Sequence, residues 1–441
     1  MPPVVIYFQV HQPFRLRRYS IYDATPDYFD DAGNREVLLR IADQCYRPAT
    51  LLMLRLAQEH EGRFRFAFSL TGTVLDQLEQ WAPEVIDAFR RVADTGCCEF
   101  LGETEHHSLA SLHSPEEFDA EVRAHTDRIT RLFGAPPRVF RNTELIYAND
   151  LAAALAGIER EGGPAFDGVL CEPDPLALDG RSPDRVYRTP AALAPGRRPH
   201  AVLTKNPRLS DEIAFRFGQR SWGGYPLLSE TFAGWISAEV PDAPGAVCNL
   251  FMDYETLGEH QCRETGILDF FAALPAAVID RAPPDAPAFL TPSEAIAEIN
   301  PDGEYDAPRH TSWADSERDL SAWTGNSMQT DALRNLYRIE SLVKGRAKAA
   351  SSADDPDLKQ RTRDRLRDWR RLATSDHFYY MGTKFEADGE SHRYFSPYDS
   401  PYDAYINYMN VLDNLRTRLE AILPADPPGP AAAGATPTAG E

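Results

Sequence analysis

The sequence predicts an α/β fold, most simply a closed (β/α) barrel, followed by a helical domain. From residue 4 to about 300, a short β-rich run is followed by polar or acidic residues and then by a helical stretch, and this pattern recurs. Several runs are almost continuously apolar, as expected for parallel strands buried on both faces. After Pro301 only helical periodicity remains. The alternation indicates a parallel sheet, with an open doubly wound sheet as the alternative.

Eight runs form the predicted strands, namely residues 4–10, 64–70, 98–101, 139–140, 168–171, 201–203, 247–252 and, weakly, 288–290. The clearest intervening helix begins after Ser114, which can cap it, with Pro115 at the first helical position and Glu117 three residues after the cap. It is predicted to end at Gly134. No Gly-rich phosphate loop follows any run, which argues against the open sheet.

The C-terminal part is predicted to contain helices at residues 328–343, 358–372 and 404–422. We therefore expect three regions: a barrel at 1–300, a helical bundle domain packed on it at 301–423, and a disordered tail at 424–441 rich in Pro, Ala and Gly. An aromatic tract at 377–380 and 394–398 lies between the helices. It either walls a cleft or seals the domain interface.

Composition excludes several classes of function. The chain has 441 residues, 43% of them apolar, and a formal net charge of −21 without a basic patch, which argues against a nucleic-acid partner. No apolar run reaches the roughly 20 residues of a membrane helix, and the N-terminus lacks a signal-peptide pattern. The six cysteines show no metal-ligand spacing and favour reduced thiols. We expect a cytoplasmic protein with no membrane partner; its oligomeric state is left open.

Polar side chains follow several predicted strands. These are Gln9, His11 and Gln12 after the first, Glu103, Glu105, His106 and His107 after the third, Arg141, Asn142 and Glu144 after the fourth, and Asp253, Glu255, Glu259 and His260 after the seventh. The C-terminal ends of barrel strands meet at one mouth, where catalytic groups are placed. Glycoside hydrolysis needs two carboxyl groups there, about 5–5.5 Å apart if configuration is retained. We therefore predict a glycoside hydrolase with Glu144 as nucleophile.

Other interpretations of single residues compete with this one. An isolated carboxylate is usually solvated surface, and His11 could be a hydrogen-bonded core histidine. Glu105, His106, His107 and His113 could suggest a metal site, but their spacing does not place them on one helix face, so we predict no metal and no other cofactor. A Ser-His-Asp site has no support because a Gly-x-Ser-x-Gly elbow is absent from the sequence.

Five motifs resemble, in order, the conserved regions of glycoside hydrolase family 57. They are His-Gln-Pro at 11–13, Gly-Glu-Thr-Glu at 102–105, Phe-Arg-Asn-Thr-Glu-Leu-Ile-Tyr at 140–147, Phe-Met-Asp-Tyr-Glu-Thr-Leu-Gly-Glu-His at 251–260, and Ser-Trp-Ala-Asp-Ser-Glu-Arg-Asp-Leu-Ser-Ala-Trp at 312–323. The resemblance spans about residues 4 to 423 and is nearest to the α-amylase branch. It implies an irregular seven-stranded (β/α) barrel followed by a helical bundle, and a retaining mechanism without metal.

By that resemblance Glu144 is the nucleophile and Asp253 the general acid/base, which agrees with their positions after strands. Glu255, two residues after Asp253, is an alternative acid. Arg141 and Asn142 are suited to keep Glu144 ionised through charge and hydrogen bonding. The expected substrate-binding residues are His11, Gln12, Glu103, Arg141, Asn142, Glu255, His260, Trp313 and Asp315.

The implied substrate is an α-1,4-glucan such as glycogen, starch or maltodextrin. The α-amylase branch favours hydrolysis, and 4-α-glucanotransferase activity is the alternative on the same substrates. Two further hypotheses stay open: a non-catalytic glucan-binding or regulatory protein, and a metal-dependent deacetylase. Trp313 is the best candidate for stacking on a sugar, whereas Trp235 is expected in the core.

Overall fold

The computed structural model describes residues 1–160, 163–240, 243–384 and 389–422, so the predicted tail at 424–441 lies outside the described residues. The strands are β1 (Val4–Val10), β2 (Phe66–Leu70), β3 (Cys98–Phe100), β4 (Val139–Arg141), β5 (Glu159–Arg160), β6 (Gly163–Pro164), β7 (Gly168–Cys171), β8 (Val186–Arg188), β9 (Ala201–Thr204), β10 (Cys248–Asp253), β11 (Leu257–Gly258) and β12 (Gln261–Cys262).

The helices of the α/β part separate these strands. They are α1 (Asp31–Ile41), α2 (Arg47–Glu59), α3 (Gly72–Trp81), α4 (Pro83–Ala93), α5 (Ala110–His113), α6 (Pro115–Phe133), α7 (Asn149–Gly157), α8 (Pro175–Leu178), α9 (Pro207–Asp211), α10 (Ser229–Glu239), α11 (Ile267–Ile279) and α12 (Pro292–Glu298). The C-terminal helices are α13 (Ser321–Thr324), α14 (Ser327–Arg338), α15 (Glu340–Ser351), α16 (Pro356–Leu372), α17 (Ser375–Tyr379), α18 (Gly389–Phe395) and α19 (Pro401–Ala421).

Two four-stranded sheets carry the α/β part. One has the order β10-β1-β2-β3, all parallel; the other has the order β4-β7-β9-β8, with β8 antiparallel. A parallel bridge between Gly102 and Phe140 connects β3 to β4. At the other edges, the Asn206 N–H donates to the carbonyl of Asn249 at 2.8 Å, and Arg185 pairs with Ala246. The α/β class is confirmed, and these contacts link the neighbouring edges of the two sheets.

Strand β1 shows why the sheet residues are so apolar. Ile6 and Phe8 face a core shared with the surrounding helices, whereas Val5 and Tyr7 face a second cluster that contains residues of both sheets, including Leu170. All of these side chains are fully buried. Both faces of the strand are therefore excluded from water, as the continuous apolar run predicts.

Several predicted elements differ from the observed ones. Residues 288–290 form only a bridge between Phe289 and Val4 rather than a strand. Strand β8 was missed because Val186 and Tyr187 make too short an apolar run to be recognised. The helix predicted at 328–343 is two helices, α14 and α15, which meet at Ile339. Helix α6 is confirmed, with Ser114 as its cap and Gly134 at its left-handed end.

The C-terminal helices pack around a core of their own. Trp369 and Leu336 lie at its centre, together with Tyr408 of α19. Leu16 and Tyr28, from the loop after β1, also belong to this core and tie it to the α/β part. The division into domains at residue 300 stays a prediction.

Two further findings concern the whole described chain. Among the described helices, none combines the length and the apolar character needed to cross a bilayer. All six cysteines have free thiols, and four of them are buried.

Phe8 gives a test of this core, because its ring contacts those of Phe68, Tyr254 and Phe271. We expect Phe8→Ala to lower the free energy of unfolding by about 3–5 kcal/mol, since it leaves a cavity among large rings. Denaturant unfolding measures this loss. The half-exposed Leu51→Ala on α2 is the control and should lose much less; equal losses would contradict the packing described.

Candidate active site

A cavity of about 500 Å³ opens where β1, β4 and β10 end. Nine of the eleven predicted site residues line it: His11, Gln12, Arg141, Glu144, Asp253, Glu255, His260, Trp313 and Asp315. The other two, Glu103 and Asn142, are fully buried and are absent from its lining. The structure thus brings together most of the residues that the strand ends predict.

The backbone at Glu144 is left-handed, with φ at 57°, and Leu145 follows at 52°. Such a conformation costs a residue with a side chain on the order of 1–2 kcal/mol, so neighbouring contacts must hold it. The side-chain amide of Asn142 donates a hydrogen bond to the backbone carbonyl of Ile146 at 3.0 Å. The backbone N–H of Trp313 donates to the backbone carbonyl of Glu144 at 3.2 Å. Asn142 therefore shapes the turn. The sequence predicted that its amide would donate a hydrogen bond to the Glu144 carboxylate, but the amide donates to other acceptors.

The Glu144 carboxylate is held from three sides. Its Oε2 accepts a hydrogen bond from Trp313 Nε1 at 2.7 Å. Its Oε1 lies 3.3 Å from both His107 Nε2 and the Ser375 hydroxyl. Burial alone raises the pKa of Glu144, but the hydrogen bond and charge of His107 and the charge of Arg141 lower it below its usual value. The carboxylate is therefore held in its ionised form and fixed in orientation.

His107 sits between two carboxylates. Its Nδ1 lies 3.4 Å from Glu103 Oε2, while its other nitrogen faces Glu144. Burial lowers the pKa of His107, yet its hydrogen bonds to Glu103 and Glu144 raise it to about 9. Burial likewise raises the pKa of Glu103, but His107, His125 and Arg141 lower it to about 2. The site therefore holds an imidazolium whose counter-ion behind the cavity is Glu103.

Arg141 completes this group of charges. Its side chain is fully buried, its guanidinium lies 4.9 Å from the centre of the Trp313 ring, and Glu103 Oε2 is 4.0 Å away. All three of its side-chain nitrogens lack a hydrogen-bond partner among the described residues. Arg141 borders the cavity, so its buried positive charge lies directly behind the cavity surface.

His11 stacks on His107 with ring centres 4.0 Å apart. Its Nδ1 lies 3.0 Å from the Thr71 hydroxyl and its Nε2 lies 2.9 Å from Asp376 Oδ2. Burial and the charge of His107 lower the pKa of His11, although Asp376 opposes this. The stacked pair therefore carries its positive charge on His107, and His11 faces the cavity as a neutral ring.

Asp253 and Glu255 are the two candidate proton donors. Burial and the charge of Glu144 raise the pKa of Asp253, while His260, Arg141 and His11 lower it in part. Burial and Asp253 raise the pKa of Glu255 to about 8. Glu255 Oε1 is already occupied by the Tyr46 hydroxyl at 2.5 Å and by the His11 N–H at 3.2 Å. Glu255 is thus fixed by protein contacts.

Asp315 is engaged by the C-terminal part rather than open to a ligand. Its Oδ2 lies 2.6 Å from Lys384 Nζ and 3.1 Å from His392 Nε2, and its Oδ1 accepts from the Tyr379 hydroxyl at 3.4 Å. These contacts lower the pKa of Asp315 although burial opposes them. Asp315 therefore joins helices α17 and α18 to the cavity wall.

Sequence reasoning missed several residues of this site. Lys205, Asp211 and Arg318 line the cavity and form ion pairs with one another, since Asp211 lies 2.8 Å from both cations. Lys205 could have been found, because it follows the predicted strand at 201–203. Ser375 and Asp376 carry no such signal, since they come from a helix in the distant C-terminal part.

The residues considered for a metal site have other contacts. Glu105 pairs with Arg128 at 2.8 Å, and His106 Nδ1 lies 3.6 Å from Glu121. His107 serves Glu144 as described above. Within the described ranges, no group of three or more His, Cys, Asp or Glu side chains is arranged to hold a metal ion.

Comparison with known proteins identifies the family. The model of glycosyl hydrolase family 57 matches residues 5–308, which is more than half of the chain. This protein belongs to glycosyl hydrolase family 57. A relative from Methanocaldococcus jannaschii, named "Putative alpha-amylase", is 35% identical over 422 residues, which cover 94% of this chain and 84% of the relative.

Solved structures of two other proteins share the fold. A branching enzyme from Thermococcus kodakaraensis superposes with a TM-score of 0.65 at 13% identity, covering 89% of this chain and 87% of that one. A 4-alpha-glucanotransferase from Thermococcus litoralis superposes with a TM-score of 0.55 at 13% identity. That match covers 85% of this chain but only 54% of the transferase, which is the longer protein.

The raised pKa of His107 makes a prediction about stability. Because its pKa is above 6.5 in the folded state, the stabilisation is complete below about pH 6.5 and is lost as the pH rises through about 9. His107→Asn removes it. We therefore compare the free energy of unfolding of wild type with that of the variant. The difference between the two proteins should be larger at pH 6 than at pH 10, by on the order of 3 kcal/mol.

Chemical unfolding at both pH values measures this difference. His113→Asn is the matched control. The protein groups packed around the His113 ring desolvate it and lower its pKa, although part of the residue remains exposed. Its contribution to the free energy of unfolding would therefore change with pH in the opposite direction. A pH-independent difference for His107→Asn would mean that the ring is neutral.

Proposed function

We propose that this family 57 glycosidase cleaves α-1,4-glucans by a retaining mechanism, with Glu144 as nucleophile and Asp253 as general acid/base. The observation that carries the proposal is the pair of carboxyl groups in one cavity whose pKa values are shifted in opposite directions. A nucleophile must be ionised while a proton donor must hold its proton, and opposite shifts assign one role to each.

The proposed reaction has two steps. In the first, Glu144 Oε1 or Oε2 attacks the anomeric carbon while Asp253 protonates the departing glycosidic oxygen. In the second, Asp253 takes a proton from water, and the resulting hydroxide equivalent opens the ester and releases Glu144. Arg141 and His107 supply positive charge beside Glu144 throughout.

Asp253 is a better acid than Glu255 for a geometric reason. The acid must approach the glycosidic oxygen within hydrogen-bond distance. Glu255 is 4% exposed and accepts two protein hydrogen bonds, whereas Asp253 is the more exposed of the two at the cavity surface.

We also propose that seven of the described strands, β1, β2, β3, β4, β7, β9 and β10, form one irregular barrel with the C-terminal helices packed on it as a bundle. The bridges between the two sheets, the cluster of apolar side chains common to both inner faces, and the separate core around Trp369 support this arrangement. The family's solved structures support it as well, since they share this fold.

The α-glucan substrate is inferred from the relatives. The proteins named above are an α-amylase by name, a branching enzyme and a 4-alpha-glucanotransferase, all of which act on such chains. We propose hydrolysis of the α-amylase type as the main activity, because the relative with 35% identity carries that name. Transfer to another sugar is the second candidate.

Product analysis on maltoheptaose tests the proposal. We expect wild type to give shorter maltooligosaccharides, Asp253→Asn to lose about 10²–10⁴-fold in rate, and Glu144→Gln to be inactive. Glu59→Gln, a half-exposed carboxylate on α2, is the control and should match wild type. Products longer than the substrate would show transfer instead. Binding without any product would favour the non-catalytic alternative, and loss on chelation would favour a metal enzyme.

A second experiment separates Asp253 from Glu255. With a donor whose leaving group needs no proton, Asp253→Asn should regain turnover when azide replaces water as the nucleophile, because azide needs no general base. Glu255→Gln should lose less turnover than Asp253→Asn and should gain none from azide. Any step in the pH–rate profile near pH 8 should disappear in this variant, because the pKa of Glu255 is about 8. Rescue of Glu255→Gln rather than Asp253→Asn would exchange the two roles.

A further inference from the structure

Large aromatic side chains lie exposed at the rim of the active-site cavity. Phe215 is 65% exposed and Phe395 is 43% exposed, and both line the cavity. Tyr394 is 62% exposed and its ring lies 5.0 Å from that of Phe395. Exposed apolar residues scattered singly are ordinary, but rings grouped around one opening mark a binding surface.

The position of these rings relative to the proton donor defines their side of the cavity. The His260 ring packs edge-on against Phe395 at 5.6 Å and against Tyr394 at 6.4 Å. His260 also lies close enough to Asp253 to influence the pKa of that carboxyl, and both residues line the cavity. The acid/base meets the glycosidic oxygen on the side from which the leaving sugar departs. Tyr394 and Phe395 therefore lie on the leaving-group side. Phe215 belongs to the same side, because Gln261, the neighbour of His260, donates a hydrogen bond to the carbonyl of Ala214 at 2.9 Å.

A different set of residues surrounds the nucleophile. Glu144 is hydrogen-bonded to Trp313 and His107. The ammonium nitrogen of Lys205 lies 5.7 Å from the centre of the Trp313 ring. That region is charged and hydrogen-bonding. The region around Glu144 is therefore polar, whereas the rim is aromatic. This contrast matches a site that binds one sugar through its hydroxyl groups and the next sugar through its apolar face.

Helix α18 holds two of the rings in place. Its His392 stacks on Tyr379 at 3.7 Å, and the two His392 nitrogens lie 3.0 Å from the Tyr379 carbonyl and 3.1 Å from Asp315 Oδ2. His392 is almost fully buried, whereas Tyr394 and Phe395 on the same short helix are exposed. The helix is thus anchored by one side chain and presents two aromatic ones.

We propose that Phe215, Tyr394 and Phe395 form an acceptor-binding surface for the glucan segment that leaves and for the sugar that can replace it. The apolar face of a pyranose ring fits a flat aromatic side chain, and a bound sugar would exclude water from the glycosyl-enzyme. This inference rests on the proposed function and extends it, because the surface sets the ratio of transfer to hydrolysis.

The transfer step is balanced in atoms. A hydroxyl oxygen of the bound sugar attacks the anomeric carbon, the bond from that carbon to the Glu144 carboxylate breaks, and the hydroxyl proton passes to Asp253. Glu144 leaves as a carboxylate and Asp253 is left protonated for the next cycle. Water performs the same step when the surface is empty.

Two donors with the same glycosyl part test the surface. Maltoheptaose must place its leaving segment on the rim, whereas maltotriosyl fluoride releases only a fluoride ion. We expect Phe395→Ala and Phe215→Ala each to lower the ratio of maltoheptaose turnover to fluoride hydrolysis by about fivefold to tenfold, the size expected for one lost ring contact. The fraction of products longer than the substrate should fall in parallel.

Two control variants accompany this measurement. Tyr402→Ala removes an aromatic ring that is 66% exposed on α19 and absent from the cavity lining, so it should keep the wild-type ratio. Phe395→Trp keeps a flat ring and should keep the ratio as well. Calorimetric binding of maltoheptaose to Glu144→Gln, with and without Phe395→Ala, reads the same surface without turnover and should show about fivefold weaker binding in the double variant.

The outcomes distinguish the two levels of the proposal. If wild type hydrolyses both donors but Phe395→Ala and Phe215→Ala keep the ratio of Tyr402→Ala, the acceptor surface is wrong and the proposed function stands. If wild type acts on neither donor, the proposed function is wrong and the surface falls with it, unless calorimetry still shows a glucan bound at these rings. A loss of the ratio shared by Tyr402→Ala would also overturn the surface.

Discussion

The structure depends on a buried group of four charges behind and beside the cavity. Glu103 and Glu144 are negative, His107 and Arg141 are positive, and three of the four side chains are almost completely excluded from water. Isolated buried charges are costly, so each member needs the others. Glu103 has the least visible role and yet fixes the protonation of His107, which in turn keeps Glu144 ionised.

The same site joins two distant parts of the chain. Ser375 and Asp376, from helix α17, contact Glu144 and His11, and the Ser375 N–H donates to the carbonyl of His107 at 2.9 Å. The aromatic tract at 377–380 and 394–398 contributes both to the cavity wall and to packing within the C-terminal part. Tyr379 and Phe395 wall the cavity, whereas Phe378 is buried in the C-terminal core.

The cavity is lined by two kinds of surface. Around Glu144 the side chains are charged, buried and mutually bonded, and around His260 they are aromatic and exposed. In the proposed reaction, the polar contacts position the sugar that reacts, whereas the apolar contacts accept sugars of different lengths and orientations. This division gives a physical basis for relatives of one fold that differ in whether water or a sugar completes the reaction.

The sequence by itself determined the fold class and most of the site. Apolar runs buried on both faces indicate parallel strands, and the polar residues that follow them, such as Glu144 and Asp253, meet because strand ends share one edge. The order of the motifs indicated the family, which the family model confirms. These features are local along the chain, so they can be read without knowing the tertiary structure.

Only the tertiary structure decided which partner each group has. The left-handed turn at Glu144 is held by Trp313, 169 residues later in the chain, and Asp315 is held by His392, 77 residues later. The same holds for Asp376, which follows no strand and carries no pattern. Burial and charge pairing act through space, so the protonation of His107 and Asp253 was set by the fold and could not be predicted from spacing alone.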